Sequence, residues 1–111
     1  MAARTIRVFW QNVKTGWFNY NWNGVITDQS VVHISTCECN FPAGNLFGAE
    51  GVLRTRGDAP IWVKNVRPHG PNPGDNITGG VEFYLQIDWG TPLNVATDIT
   101  VVDVPEQKAI A

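Results

Sequence analysis

Charge is scarce in this chain, and what there is does not cluster. Charged residues make up 16% of the 111, with 8 Lys and Arg against 10 Asp and Glu, for a net charge of −2. The basic residues fall as Arg4, Arg7, Lys14, Arg54, Arg56, Lys64, Arg67 and Lys108. No stripe of them follows a phosphate backbone, so nucleic acid is not an expected partner. Long apolar runs are missing as well. No segment approaches the roughly 18 consecutive apolar residues of a membrane-spanning helix, and the start Met-Ala-Ala-Arg-Thr-Ile-Arg lacks the apolar stretch of a signal peptide. The expectation is a soluble protein made in the cytoplasm, with extracellular use left open if a leader has been removed.

Cysteine is limited to Cys37 and Cys39, separated by Glu38 alone. A bridge between neighbours this close on a strand is strained, so free thiols are expected. Two thiols without a second pair or well-spaced histidines do not make a zinc site, and neither metal nor cofactor is predicted. Helical periodicity, internal repeats and low-complexity tracts are also absent.

In their place stand short segments rich in Val, Ile, Thr and aromatic residues, punctuated by Gly, Pro and Asn about every ten residues. The clearest is Val81 to Trp89, where Val81, Phe83, Leu85 and Ile87 alternate with Glu82, Tyr84, Gln86 and Asp88, giving one core face and one wet face. Arg4 to Trp10 alternates in the same way. Further strands are predicted at 16–23, 30–37, 50–55, 59–66 and 94–104, the last with a bend or bulge at Thr97 and Asp98. The spacing predicts one all-β domain over residues 1–111, an antiparallel β-sandwich of about seven or eight strands with an immunoglobulin-like or lectin-like layout. A long loop is expected at 67–80, and a frayed tail after Pro105.

Against this background the run Trp17-Phe18-Asn19-Tyr20-Asn21-Trp22 stands out, with four aromatic rings and two amides in six residues. Alternation sends Phe18, Tyr20 and Trp22 to one side and Trp17, Asn19 and Asn21 to the other. An indole flanked by two amides suits a sugar, whose C–H face stacks on a ring while its hydroxyls need donors and acceptors. Asp88 and Trp89, at a strand end before Gly90, form a second candidate edge; ordinary turn capping by Asp88 is the plainer reading.

Other motifs carry less. Asn72-Pro73-Gly74-Asp75-Asn76 supplies one carboxylate where calcium wants about six oxygens. His69 reads as a solvated loop residue or turn partner, and His33 as a partly buried structural histidine. Cys37 or Cys39 with His33 and Asp28 lacks any local catalytic signature, so no enzyme is predicted. Arg56-Gly57-Asp58 reads as a turn, and Asn76-Ile77-Thr78 matches a glycosylation sequon whose meaning requires secretion.

The expected function is non-catalytic binding, lectin-like recognition of a glycan or other polar small ligand through Trp17, Asn19, Asn21, Asp88 and Trp89. The rival expectation is a self-assembling protein whose exposed aromatics form a subunit interface, since low charge with 5 Trp favours association and a homo-oligomer. A membrane-active segment at 17–22 is a weaker alternative, because no adjoining basic cluster would draw it to an anionic surface.

Overall fold

The computed structural model describes residues 3–44, 46–71 and 77–111. Among the described residues seven antiparallel strands follow one another: β1 (Arg4–Val13), β2 (Gly16–Asn21), β3 (Val31–Asn40), β4 (Leu53–Thr55), β5 (Ile61–His69), β6 (Gly80–Ile87) and β7 (Leu93–Val102). A 3₁₀ turn, Gly48–Gly51, precedes β4. The protein is therefore all-β, built from two antiparallel sheets, one of them curled into a half-barrel. The first sheet has the order β1-β7-β3-β4 and the second β2-β6-β5.

Alternation decides what each strand buries. From β6, Val81, Phe83, Leu85 and Ile87 point inward, and from β7, Val95, Ile99 and Val101 do the same. Residues of both strands share two clusters, one of Ile26, Val81, Ile99 and Val101 and one of Phe83, Leu85, Ile87 and Val95. The central strands of the two sheets thus make one apolar interior, each large side chain contributing about 1.5–3 kcal/mol. Thr97 is the buried polar residue of this interior among the described residues. Its hydroxyl accepts from Trp10 Nε1 at 2.9 Å and donates to the Val8 carbonyl at 3.4 Å, so its burial leaves nothing unpaired.

Two asparagines break the period. Asn12 and Asn65 have φ of 51°, the left-handed region that Asn tolerates better than most residues, and each sits at a register shift. In β5, Lys64 pairs with Tyr84 but Arg67 pairs with Glu82, so three residues of β5 span what two residues of β6 span. This bulge resets the alternation. Lys64 faces outward, Val66 packs into both core clusters, and Arg67 and His69 face outward again. Were the same residues to run on without a bulge, Arg67 would point at the core. Asn12 does the same for β1, letting both Trp10 and Val13 pack inward, and its amide is fixed by Asn94 Oδ1 at 2.9 Å.

Several expectations need correction. The strand 93–102 runs without a register shift at Thr97 or Asp98, and the bulge lies instead in its partner β1. Thr97 is an inward core position and Asp98 an outward ion-pair partner, which is why two polar residues there need no bend. The loop after β5 is shorter than 67–80, because Arg67, Pro68 and His69 belong to β5 and Gly80 to β6. Pro68 is tolerated there because β5 is an edge strand, where a missing N–H costs no ladder bond. The 72–76 stretch considered for calcium, and Asn76 of the sequon, lie outside the described residues.

Candidate functional site

Asn19, Asn21 and Trp17 leave β2 on its exposed side, while Phe18 and Tyr20 are half-buried against the core. The register of the second sheet adds what the sequence did not reveal. Trp17 lies opposite Tyr84, and Tyr84 opposite Lys64, so one line crosses all three strands. Trp17 and Tyr84 meet edge to face, with centroids 5.4 Å apart. The Lys64 ammonium lies 6.0 Å from the Tyr84 centroid and 5.7 Å from that of Trp62, two residues back on β5. Trp17 is 61% exposed and Trp62 40%, so their rings face solvent despite these contacts.

A second, polar line runs beside the first. Asn19 lies opposite Glu82, and Glu82 opposite Arg67, whose guanidinium donates to the carboxylate at 2.6 Å. Asn19 donates through Nδ2 to Asn21 Oδ1 at 2.7 Å, and its Oδ1 lies 2.6 Å from His69 Nε2. His69 Nδ1 lies 2.9 Å from the Thr78 carbonyl. Both ring nitrogens thus face oxygens, an arrangement that the imidazolium satisfies outright. A ring carrying its hydrogen on Nδ1 alone satisfies it if the amides of Asn19 and Asn21 both turn over, so the tautomer of His69 and the direction of these amides go together. Gly80 gives this relay its room: a Cβ there would come within 2.8 Å of Asn21 Oδ1. His69 is therefore a structural hinge of the polar line rather than a solvated loop residue, as the register of β5 with β6 dictates.

Asp88 and Trp89 lie past the end of this face, in the turn joining β6 to β7. The Asp88 amide donates to Pro60 O at 2.9 Å, and Trp89 is 51% exposed. Among the described residues, no hydrogen bond or ring contact joins them to Trp17, Asn19 or Asn21. The structure gathers three of the five expected residues, adds Trp62, Lys64, Arg67, His69, Glu82 and Tyr84, and leaves two at the periphery. Only the outward parity of Tyr84 and Glu82 was visible in the sequence; their juxtaposition with Trp17 depends on pairing between segments more than 60 residues apart.

The opposite outer face is arranged differently. Arg7 grips Asp98 through two bonds, at 2.6 and 2.9 Å, and Arg54 approaches the same carboxylate at 3.4 Å. Hydrogen bonding to Arg7 holds the Asp98 carboxyl below its ordinary value and raises the Arg7 guanidinium. Further along, Cys39, Ala96 and Val52 pack with Phe9, Cys37 and Phe41 under the 41–52 loop. Cys37 and Cys39 are free, and burial, followed by the neighbouring Cys37, pushes the Cys39 thiol up to about 11. His33 is exposed rather than partly buried, because its position opposite Thr100 is an outward one. Asp28 is bonded to Gln29 in a separate turn, at 3.1 Å. No group of three potential metal ligands occurs among the described residues, and no helix among them is long and apolar enough to cross a membrane. A groove of about 490 Å³ opens elsewhere, lined by Ile6, Val8, Phe9, Tyr20, Phe41 and Ala49 among others. Comparison with protein families, with curated proteins and with solved structures finds no match to the chain.

Proposed function

We propose that the protein is a non-catalytic, lectin-like binder of glycans or related polar ligands, and that the outer face of β2, β6 and β5 is its recognition surface. One observation carries this reading: a solvent-facing row of Trp17, Tyr84, Lys64 and Trp62 runs directly beside a pre-bonded polar row of Asn19, Glu82 and Arg67. Stacking needs the first row and hydroxyl recognition the second, and fixed side chains lower the ordering cost of binding. In this reading the two sheets form a sandwich of lectin-like rather than immunoglobulin-like layout. The first strand pairs with the last and the second with the last but one, on different sheets, a nesting that supports a jelly-roll arrangement. Layout alone implies no ligand. A glycan array on the purified protein tests the proposal: Trp17→Ala is expected to weaken any hit by about 1–3 kcal/mol while leaving the fold intact. Undiminished binding removes Trp17 from the site.

A self-assembling role is the second reading, and it has its own support. The accessible surface is 7301 Å², against about 6100 Å² for a chain of this size. The radius of gyration is 15.6 Å, against about 13 Å. Leu46 and Phe47, 91% and 76% exposed, project from the 41–52 loop next to the groove floored by β1. Light scattering on the wild type and Phe47→Ser decides this: an oligomer that dissociates in the variant supports assembly through that loop, and a monomeric wild type removes it. The two readings use different faces and are compatible, because an oligomer multiplies weak sites.

A further inference from the structure

The charge on the proposed recognition face differs from that of the chain as a whole. The chain carries −2, but on the outer face of β2, β5 and β6 the described charges are Lys64, Arg67 and Glu82. Arg67 and Glu82 neutralise one another at 2.6 Å. Lys64 has no carboxylate partner among the described residues; its ammonium is held by the faces of Trp62 and Tyr84.

We propose that this face selects an acidic saccharide, a pyranose carrying a carboxylate or sulfate, and that Lys64 takes the anionic group. The proposal rests on the lectin-like reading and names its ligand class. Adjacent strands lie about 4.8 Å apart, so the line from Trp17 through Tyr84 to Lys64 spans about 10 Å, the length of roughly two sugar rings. A ring stacked at Trp17 and Tyr84 therefore brings its own substituent, or that of the next ring, within reach of the ammonium. An uncharged ligand laid over this row covers a cation and offers it only hydroxyls, whereas an anion replaces the lost hydration with a charge-assisted bond. Glu82 does not compete for Lys64 because it is committed to Arg67. The aromatic contacts also hold the lysine stem over the platform, which lowers the cost of fixing a flexible side chain.

The test is titration calorimetry of the intact protein with three matched probes: a glucuronate trisaccharide, a sulfated glucose trisaccharide and the uncharged glucose trisaccharide. One or both acidic probes are expected to bind about tenfold more tightly than the neutral one, with the better probe naming the anion. That advantage shrinks as salt is raised from about 0.05 to about 0.5 M. Lys64→Met and, independently, Lys64→Gln remove the preference, so that acidic and neutral probes bind the variant equally, whereas Trp17→Ala weakens all three probes. Equal binding of neutral and acidic probes, or an advantage that survives both Lys64 substitutions, overturns the charge assignment and leaves the stacking platform standing. Binding of none of the three overturns the platform and the charge assignment together.

Discussion

The two outer faces of this protein obey one alternation rule and put it to opposite use. On the β1-β7-β3-β4 sheet, the outward groups around Asp98 and Cys39 are matched to each other or covered: Asp98 serves Arg7 and Arg54, and Cys39 and Ala96 pack with Phe41 and Val52. On the β2-β6-β5 sheet, the polar groups are also pre-bonded, but Trp17 and Trp62 remain open to solvent and Lys64 has rings instead of an acid. Loss of an outward residue on the first face should therefore weaken folding, whereas loss of one on the second should weaken binding.

The largest effect is expected from the device that creates the second face. Asn65→Val puts a β-branched residue at a φ of 51°, and if the bulge is lost with the residue count unchanged, strict alternation turns Arg67 toward the core and away from Glu82. A destabilisation of about 3 kcal/mol, or outright failure to fold, is expected in thermal melts followed by circular dichroism. A variant melting like the wild type would show that the left-handed bulge at position 65 does not set the facing of Arg67. Next comes the contrast between covered and open aromatics. Phe41→Ala uncovers the cluster on the first face and is expected to cost about 2 kcal/mol in urea unfolding. Trp17→Ala, in the same assay, should stay within about 1 kcal/mol. Equal losses would erase the distinction between the faces.

The ionic cluster gives a smaller effect with a definite sign. The Asp98 carboxyl is held below its ordinary value of 3.8 in the folded protein, chiefly by hydrogen bonding to Arg7. Its contribution is complete above that ordinary value and is lost as pH falls through the lowered one, because protonation removes the acceptor charge. Melting temperatures of the wild type and Asp98→Asn should therefore differ at neutral pH and converge below about pH 4. A gap that persists in acid would assign the stabilisation to shape rather than charge. The last effect touches reactivity without altering stability. With its thiol pushed up to about 11 by burial, Cys39 should be alkylated well after Cys37 at pH 8, as peptide mapping would show.

How much of this was legible in the sequence follows from the range of each signal. Period-two alternation is local, so Val81 to Ile87 and Trp17 to Asn21 showed their facing without any knowledge of the fold. The bulges were not legible, because Asn12 and Asn65 are ordinary punctuation in a chain rich in Asn, and only their positive φ within paired strands marks them. Proline misled at Pro68: it reads as a loop signal, but an edge strand accommodates it, and with it His69 joined β5. The row across the sheet required cross-strand register, which no single segment encodes. Trp89 shows the converse, since an exposed indole at a turn is visible in the sequence whether or not anything faces it.

The most direct test of the central claim is the set of indole N–H signals in a two-dimensional ¹H–¹⁵N spectrum, followed as a ligand identified on the array is added. The five indoles sample the molecule: Trp17 and Trp62 on the proposed face, Trp89 at its margin, and Trp10 and Trp22 half-buried. The account predicts that Trp17 and Trp62 shift progressively with ligand while Trp10 stays fixed. Shifts confined to Trp10, Trp22 or the backbone of the 41–52 loop would place the ligand elsewhere and contradict it.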